Sequence, residues 1–178
     1  MEREQLLLEP LPGYEPEIGI FLAALNDARH RTKEKLADLP GEAIDRTIPG
    51  HANSIGTLLY HIAAIEMDWL YVEILEQEFP EHVVALLPHD VRDRQGALTA
   101  VSGLTLAQHL KRLDATRHIF MEELSELPRS EFYRARRLEA YDVTPAWVIQ
   151  HLMQHEAAHR GQMLSLRAEL EGAQSGGW

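Results

Sequence analysis

Near the end of the chain, three histidines recur every four residues: His151, His155 and His159. They lie in a stretch with clear helical signals. Thr144 is a good N-cap, and Pro145 suits the first helical position, where its missing N–H has no partner to lose. The sequence therefore predicts a helix from Thr144 to about Leu170. Side chains four positions apart lie on one helical face, so the three imidazoles form a column.

This histidine column points to a metal ion. Neutral imidazole is a common metal ligand, and two imidazoles one turn apart can bind the same ion. The chain has 10 histidines in 178 residues. At that frequency about 0.5 pairs but only about 0.03 triples at this spacing are expected by chance. On spacing alone, a metal site and a partly solvated polar face remain open alternatives.

Composition narrows the class of protein. A chain of 178 residues with 45% hydrophobic content is typical of one globular domain. Without a long apolar run or a signal peptide, we expect a cytoplasmic protein with no membrane partner. The net charge of −11 argues against a nucleic-acid partner. Because cysteine is absent, any reacting thiol must arrive as a substrate.

The first helix is predicted from Pro16 to Leu39, where apolar residues alternate at spacings of three and four. Residues 1–15 precede it as an N-terminal arm. Arg29 and Thr32 fall on the buried side of this helix although they are polar. We expect them on a solvated part of the face, with the Arg29 head reaching water. The alternative is that a polar pocket begins there.

A second helix, predicted over residues 54–77, places His61 among its apolar side chains. A single inward histidine more often bonds a carbonyl than a metal. With His155 and His159 on a facing helix, a metal becomes the favoured partner of His61, since three protein ligands are typical of an open metal site. Its expected core face comprises Leu58, Ile62, Ile65, Trp69 and Val72. Three acidic residues of this helix are expected in solvent: Glu66, Asp68 and Glu73. Glu66 could also be a hydrogen-bond partner of a metal ligand.

Residues 79–103 show no sustained period and are predicted to be a long crossover connection. A capping box at Thr105 begins a third helix, which Pro128 ends. His109 and His118 fall beside its apolar stripe and are expected to be exposed.

The predicted fold is all-α, a four-helix bundle with its metal site between facing helices. No strand pattern is convincing. Residues 16–170 form the bundle, and residues 171–178 are expected to be a flexible tail. Residues 134–137 carry three arginines, expected in a solvated basic turn.

Two segments resemble the DinB and YfiT-like metalloenzyme family. Residues 53–63, with Glu66 and Trp69 after them, look like the signature of its second helix. Residues 155–162 resemble the signature of its last helix. The resemblance extends from about residue 16 to residue 170.

This resemblance implies an up-down-down-up bundle that is often a homodimer and binds one divalent ion per chain. The implied ligands are His61, His155 and His159. His151 becomes an additional pocket residue, and Gly161 is expected to permit close helix packing.

The expected chemistry follows from the resemblance and from the three imidazoles. Zn²⁺ or Ni²⁺ with open positions would lower the pKa of a bound thiol or water. The family includes S-transferases that use low-molecular-weight thiols, and a hydrolase is also compatible. Glu156 or His151 is expected to move protons. Because Glu156 lies about 100° around the helix from His155, a structural role for Glu156 is the alternative.

Two other functions are compatible with parts of this sequence. In a non-catalytic binding or stress-response protein, the metal would only lock helices together, and His151 as a fourth ligand would favour that role. Residues 155–159 also match the H-E-x-x-H motif of zinc proteases. We treat that match as coincidence because no metzincin-spaced third ligand follows and no sheet is predicted.

Overall fold

The computed structural model describes residues 3 and 5–175, with side chains up to residue 172. The described part is mostly helical, which confirms the all-α class. In chain order its elements are α1 (Pro16–Leu36), α2 (Ile55–Asp68), α3 (Glu81–Leu86), α4 (Leu106–Ser125), α5 (Arg129–Phe132), β1 (Arg136–Arg137), β2 (Asp142–Val143) and α6 (Pro145–Ser175). None of these helices is long and apolar enough to cross a membrane.

Helix α2 lies at the centre of the packing. It packs against α4 and α6, while α1 packs along α6. Nearly every side chain of α2 is buried, including Tyr60 and Met67. Each large apolar side chain removed from water contributes about 1.5–3 kcal/mol. A polar residue in the middle of α2, such as His61, is therefore held inside the protein.

Local capping explains where three of the long helices begin. The Ser54 hydroxyl accepts a hydrogen bond from the Thr57 N–H at 3.1 Å. Both halves of the capping box at Thr105 are present. The Thr144 hydroxyl accepts from the Trp147 N–H at 3.2 Å. These predicted helix starts are confirmed, because each depends on neighbouring residues only.

The second helix departs from its prediction after Asp68. Residues Trp69–Ile74 form a π-helical turn, which takes up one extra residue per turn and rotates the following side chains. Val72, predicted in the core, is 43% exposed. Glu73, predicted in solvent, is buried. The α-helical period therefore assigned both residues to the wrong face.

Other element boundaries also differ. The first helix ends at Leu36, three residues before the predicted end. The last helix continues to Ser175 rather than ending near Leu170, and residues 176–178 of the predicted tail lie outside the described residues. The connection 79–103 contains the six-residue helix α3.

The sequence shows no convincing strand pattern, and the described residues contain one short hairpin, in which β1 and β2 pair antiparallel. Each strand has only two residues, too few for a periodic signal. Within this hairpin Arg136 is buried, and its Nε donates to the Ile74 carbonyl at 3.1 Å. The expectation of a fully solvated basic turn is therefore wrong at Arg136.

Glycines at two helical positions should respond oppositely to alanine. A Cβ at Gly56 would lie 3.1 Å from both Asp45 Oδ1 and His109 Nε2 and 3.3 Å from the Ile44 carbonyl. We expect Gly56→Ala to lower the free energy of unfolding by about 1–3 kcal/mol, as overpacking does. Urea denaturation measures this change, and a parent-like midpoint would contradict the close contact.

Gly161 provides the matched control. The resemblance implied close packing there, but Gly161 is exposed and a Cβ would meet no atom within 4 Å. The implied packing role is therefore wrong. Gly161→Ala should raise the free energy of unfolding by about 0.5–1 kcal/mol, because alanine loses less backbone entropy in a helix.

Candidate metal centre

Three histidine side chains from two helices converge between α2 and α6. His61 comes from α2, and His155 and His159 lie one turn apart on α6. His155 Nε2 lies 3.1 Å from His61 Nε2 and 3.0 Å from His159 Nε2. One nitrogen from each residue lies within 4.8 Å of the others. The structure thus brings together the three residues that the sequence analysis selected.

This three-histidine group fits a divalent ion. Two nitrogens bound to one tetrahedral zinc ion are about 3.3 Å apart, given zinc–nitrogen distances of about 2.0–2.1 Å. The observed separations of 3.0 and 3.1 Å differ from this by only a few tenths of an ångström. Three imidazole donors without thiolate or carboxylate suit Zn²⁺, Ni²⁺ or Cu²⁺.

Burial keeps His61 and His155 neutral and able to bind a cation. Loss of solvent, followed by the neighbouring His159 and Arg92, lowers the pKa of His61 to about 4. Loss of solvent, followed by the three neighbouring histidines, lowers the pKa of His155 to about 3. Both imidazoles are therefore uncharged near pH 7, when each has a nitrogen lone pair available for a metal.

Gln162 orients the outermost histidine of the group. Its Oε1 lies 2.9 Å from His159 Nδ1. Since an amide oxygen can only accept, Nδ1 carries the proton and the lone pair remains on Nε2. Sequence reasoning assigned Gln162 no such role. Its position three residues after His159 was the available signal.

Removing this hydrogen bond should weaken metal binding without removing a ligand. We expect Gln162→Leu to lower the affinity for zinc about 10–100-fold, as loss of a partner that orients a ligand typically does. Competition with a chromophoric chelator measures the change. Ser165→Ala is the matched control, because Ser165 bonds Glu169 instead of a histidine. Equal affinities for both variants would rule out the orienting role.

His151 lies beside the three-histidine group, one turn before His155. Its ring centroid is 6.1 Å from that of His155. The imidazole stacks on Trp147 at 4.9 Å with an interplanar angle of 7°, and it contacts Trp69 at 4.8 Å. Burial lowers its pKa. These contacts fit the expectation of a pocket histidine.

Glu156 points into the protein interior and is only 2% exposed. Arg29 Nε donates to its carboxylate at 2.9 Å, and Arg117 Nη2 donates at 3.5 Å. Of the two expected roles, proton transfer and structure, these contacts match the structural one.

The partners of Glu156 belong to a buried charge cluster with one residue from each long helix: Arg29 on α1, Glu66 on α2, Arg117 on α4 and Glu156 on α6. Arg29 Nη2 donates to Glu66 at 3.0 Å, and Thr116 donates to the same carboxylate at 3.1 Å. Burial would raise the pKa of Glu66, but Arg117 and Arg29 together lower it. The cluster pairs two arginines with two carboxylates, and these contacts favour the charged form of Glu66.

Several predictions about these polar side chains were wrong. Arg29 and Thr32 are buried rather than solvated, and the polar interior that was the less favoured alternative is present. Glu66 is buried and binds the two arginines instead of a metal ligand. Asp68 is half-buried. Arg117 was not predicted from the sequence, because its carboxylate partners Glu66 and Glu156 lie on other helices.

The two histidines of α4 differ from each other. His118 is exposed, as predicted. His109 is buried, so its predicted exposure is wrong. Neither of its ring nitrogens has a hydrogen-bond partner among the described residues, and burial lowers its pKa to about 4.

Two cavities lie on either side of the three-histidine group along α2 and α6, although none of the three histidines lines them. The aromatic groove has a volume of about 530 Å³ and is lined by Trp69, Ala135, Tyr141, Asp142, Val143, Thr144 and Trp147. The polar cleft has a volume of about 300 Å³ and is lined by Gly50, His51, Ala52, Asn53, Leu58, Gln162 and Ser165. The first reaches the group through His151, and the second through Gln162.

Comparison with known proteins identifies the family. The family model described as Mycothiol-S-transferase matches residues 20–172. A crystal structure of a conserved protein from Enterococcus faecalis is similar, with a TM-score of 0.63 and 18% identity over 86% of this chain and 96% of that one. None of the curated proteins compared matches the chain. The match confirms the resemblance, and the protein belongs to the mycothiol S-transferase family, which is DinB-like.

Proposed function

We propose that this protein is a metal-dependent S-transferase that joins the sulfur of a low-molecular-weight thiol to an electrophile. The convergence of His61, His155 and His159 in a member of this family carries the proposal. The chain has no cysteine of its own, so the thiol is a substrate. A divalent ion, Zn²⁺ or Ni²⁺, when bound, lowers the pKa of a thiol and makes its sulfur nucleophilic near pH 7.

The position of His151 supports an enzyme over a purely structural metal site. A structural zinc site has four protein ligands, whereas a catalytic site has three and leaves a position for substrate. His151 stacks on Trp147 and is not a member of the group that can hold the ion. We propose that the neutral His151 accepts the proton released by the thiol. Glu156, as part of the charge cluster, holds α6 in position.

The polar cleft is the proposed thiol site. Gln162 both bonds His159 and lines this cleft, so a thiol bound there would reach the three-histidine group. His51, Asn53 and Ser165 supply further hydrogen-bonding groups to its walls. Such a cleft suits a thiol that carries many polar groups, as mycothiol does.

The arrangement of the long helices supports the proposed up-down-down-up four-helix bundle. In that topology the connection 79–103 crosses the bundle, and facing sides of α2 and α6 supply the ligands. A cytoplasmic homodimer remains our prediction, and sedimentation velocity measures the oligomeric state.

The test of this function uses the full chain loaded with one equivalent of Zn²⁺ or Ni²⁺. Mycothiol and iodoacetamide are the substrates, and mass spectrometry quantifies the thioether. We expect transfer well above the uncatalysed rate, lost on chelation and restored by metal. Transfer that is unchanged by chelation would contradict the metal dependence. Absence of transfer with hydrolysis of an activated ester would instead identify a hydrolase.

A further inference from the structure

We infer that the aromatic groove binds the second substrate, and that this substrate is an electrophile with a flat, aromatic body. The inference rests on the proposed S-transfer and adds the class of the acceptor. The groove residues Trp69 and Trp147 lie eight positions from His61 and His155 along the two helices, on the side away from the polar cleft. The volume of the groove, about 530 Å³, lies within the range of about 300–1,000 Å³ typical of small-molecule sites.

Aromatic rings form a continuous wall from the groove to the candidate metal centre. Tyr141 contacts Trp69 with ring centroids 6.2 Å apart, and Trp69 contacts Trp147 at 5.4 Å. Trp147 stacks on His151, which adjoins His155. Residues 147, 151 and 155 are four apart, so one face of α6 carries this path. A flat molecule on the wall would present its reactive carbon near the thiol.

The groove exposes large aromatic side chains that a soluble protein normally buries. Trp147 is 48% exposed and Tyr141 is 45% exposed. Grouped exposed apolar side chains in a concave site mark binding surfaces. Aromatic rings attract a flat ligand through offset stacking as well as through burial of apolar surface. The occupant that fits this wall is therefore an aromatic molecule.

The two cavities differ in a way that matches two substrates. Amide, hydroxyl and imidazole groups line the polar cleft, whereas indole and phenol rings dominate the aromatic groove. A polar thiol and an apolar electrophile would therefore sort to opposite sides of the histidines. In the reaction the thiol sulfur bonds to the electrophilic carbon, and the leaving group departs with the bonding electron pair. The thiol proton passes to His151 and then to solvent.

The test compares two electrophiles with the same thiol and the metal-loaded protein. Chlorodinitrobenzene is aromatic and loses chloride, whereas iodoacetamide is small and loses iodide. We expect Trp147→Ala to raise the KM for chlorodinitrobenzene at least about tenfold, as loss of a stacking ring implies. The KM for iodoacetamide should stay within about twofold, because it does not use the ring wall. Trp147→Phe should behave like the parent.

Tyr133→Ala is the matched control, since that ring is equally exposed, at 47%, but does not line the groove. It should leave both KM values unchanged. Equal effects of Trp147→Ala on the two electrophiles, or none on either, would overturn the inference. So would a changed sedimentation coefficient without an effect on chlorodinitrobenzene, because the groove would then be an interface between two copies of the chain.

A binding measurement separates this inference from the proposed function. Equilibrium dialysis of the metal-free protein with 2,4-dinitrotoluene, which has no leaving group, reports the groove alone. We expect saturable binding that is at least about tenfold weaker in Trp147→Ala and unchanged in Tyr133→Ala. If neither the parent nor any variant transfers thiol but dinitrotoluene binds as expected, the proposed function fails and the aromatic site stands. If transfer occurs and dinitrotoluene does not bind, the inference fails alone.

Discussion

A His155→Ala variant is expected to bind a divalent ion at least about 100-fold more weakly than the parent and to lose thiol transfer with it. His155 is the central member of the three-histidine group, because its Nε2 lies about 3 Å from the Nε2 atoms of both His61 and His159. Without His155, the imidazoles of His61 and His159 lose the metal-binding nitrogen that lies between them. Elemental analysis after dialysis measures the ion, and thioether formation measures the activity.

Three further variants test whether the loss of metal and activity is specific to the three-histidine group. His61→Ala, on α2, should lose the ion in the same way, since a site between helices needs both. His118→Ala should change neither metal content nor activity, because His118 is exposed on α4. His151→Ala should keep the ion but transfer more slowly. Retention of one ion per chain by His155→Ala would contradict the proposed site.

The starts of three long helices and the histidine column could be predicted because their signals are local or periodic. Thr144 and Pro145 specify the start of α6 within one turn. His155 and His159 share a face by spacing alone. Joining them to His61 on another helix rested on the inward position of His61 and on the family resemblance, since no spacing rule connects residues 94 positions apart.

The charge cluster could not be predicted, because periodic patterns assign charged side chains to solvent. Arg29 occupied a buried position of the α1 stripe, yet its reach favoured a solvated head group. What holds it inside is a pair of carboxylates on two other helices. Buried charges are accommodated only when they are paired, and the pairing depends on tertiary structure that the sequence pattern does not contain.

The π-helical turn at residues 69–74 explains a different error. A single added residue in a helical turn shifts every later side chain around the axis. Val72 and Glu73 consequently exchanged their expected environments. The same turn brings Glu73 to Tyr141, whose hydroxyl donates to its carboxylate at 3.0 Å. The rim of the aromatic groove thus depends on a feature that apolar periodicity does not reveal.

Arg29→Met should lower the free energy of unfolding by about 3–5 kcal/mol, the usual effect of removing one partner from a buried ion pair. Arg29 is 4% exposed and bonds both Glu66 and Glu156. Its loss leaves two buried carboxylates with only Arg117 to balance them. Urea denaturation of the metal-free protein, followed by circular dichroism, gives the difference from the parent.

Arg31→Met is the matched control from the same helix. Arg31 also bonds a carboxylate, Asp27 at 2.6 Å, but both side chains are largely exposed. Water and salt screen such pairs, so the midpoint of unfolding should not change measurably. If Arg29→Met and Arg31→Met gave the same small change, the cluster would not contribute to stability as its burial requires.

The effect of Arg29→Met should also depend on pH with a defined sign. In the parent the pKa of Glu66 is lowered, so its contribution to stability is complete above the unfolded pKa of about 4.3 and is lost as the pH falls. In the variant a neighbouring cation is missing, and the pKa of Glu66 rises relative to the parent. The folded variant then binds a proton sooner, which relieves the buried charge. The gap between parent and variant should therefore narrow as the pH falls from 7 to 4, and a constant gap would assign the loss to packing alone.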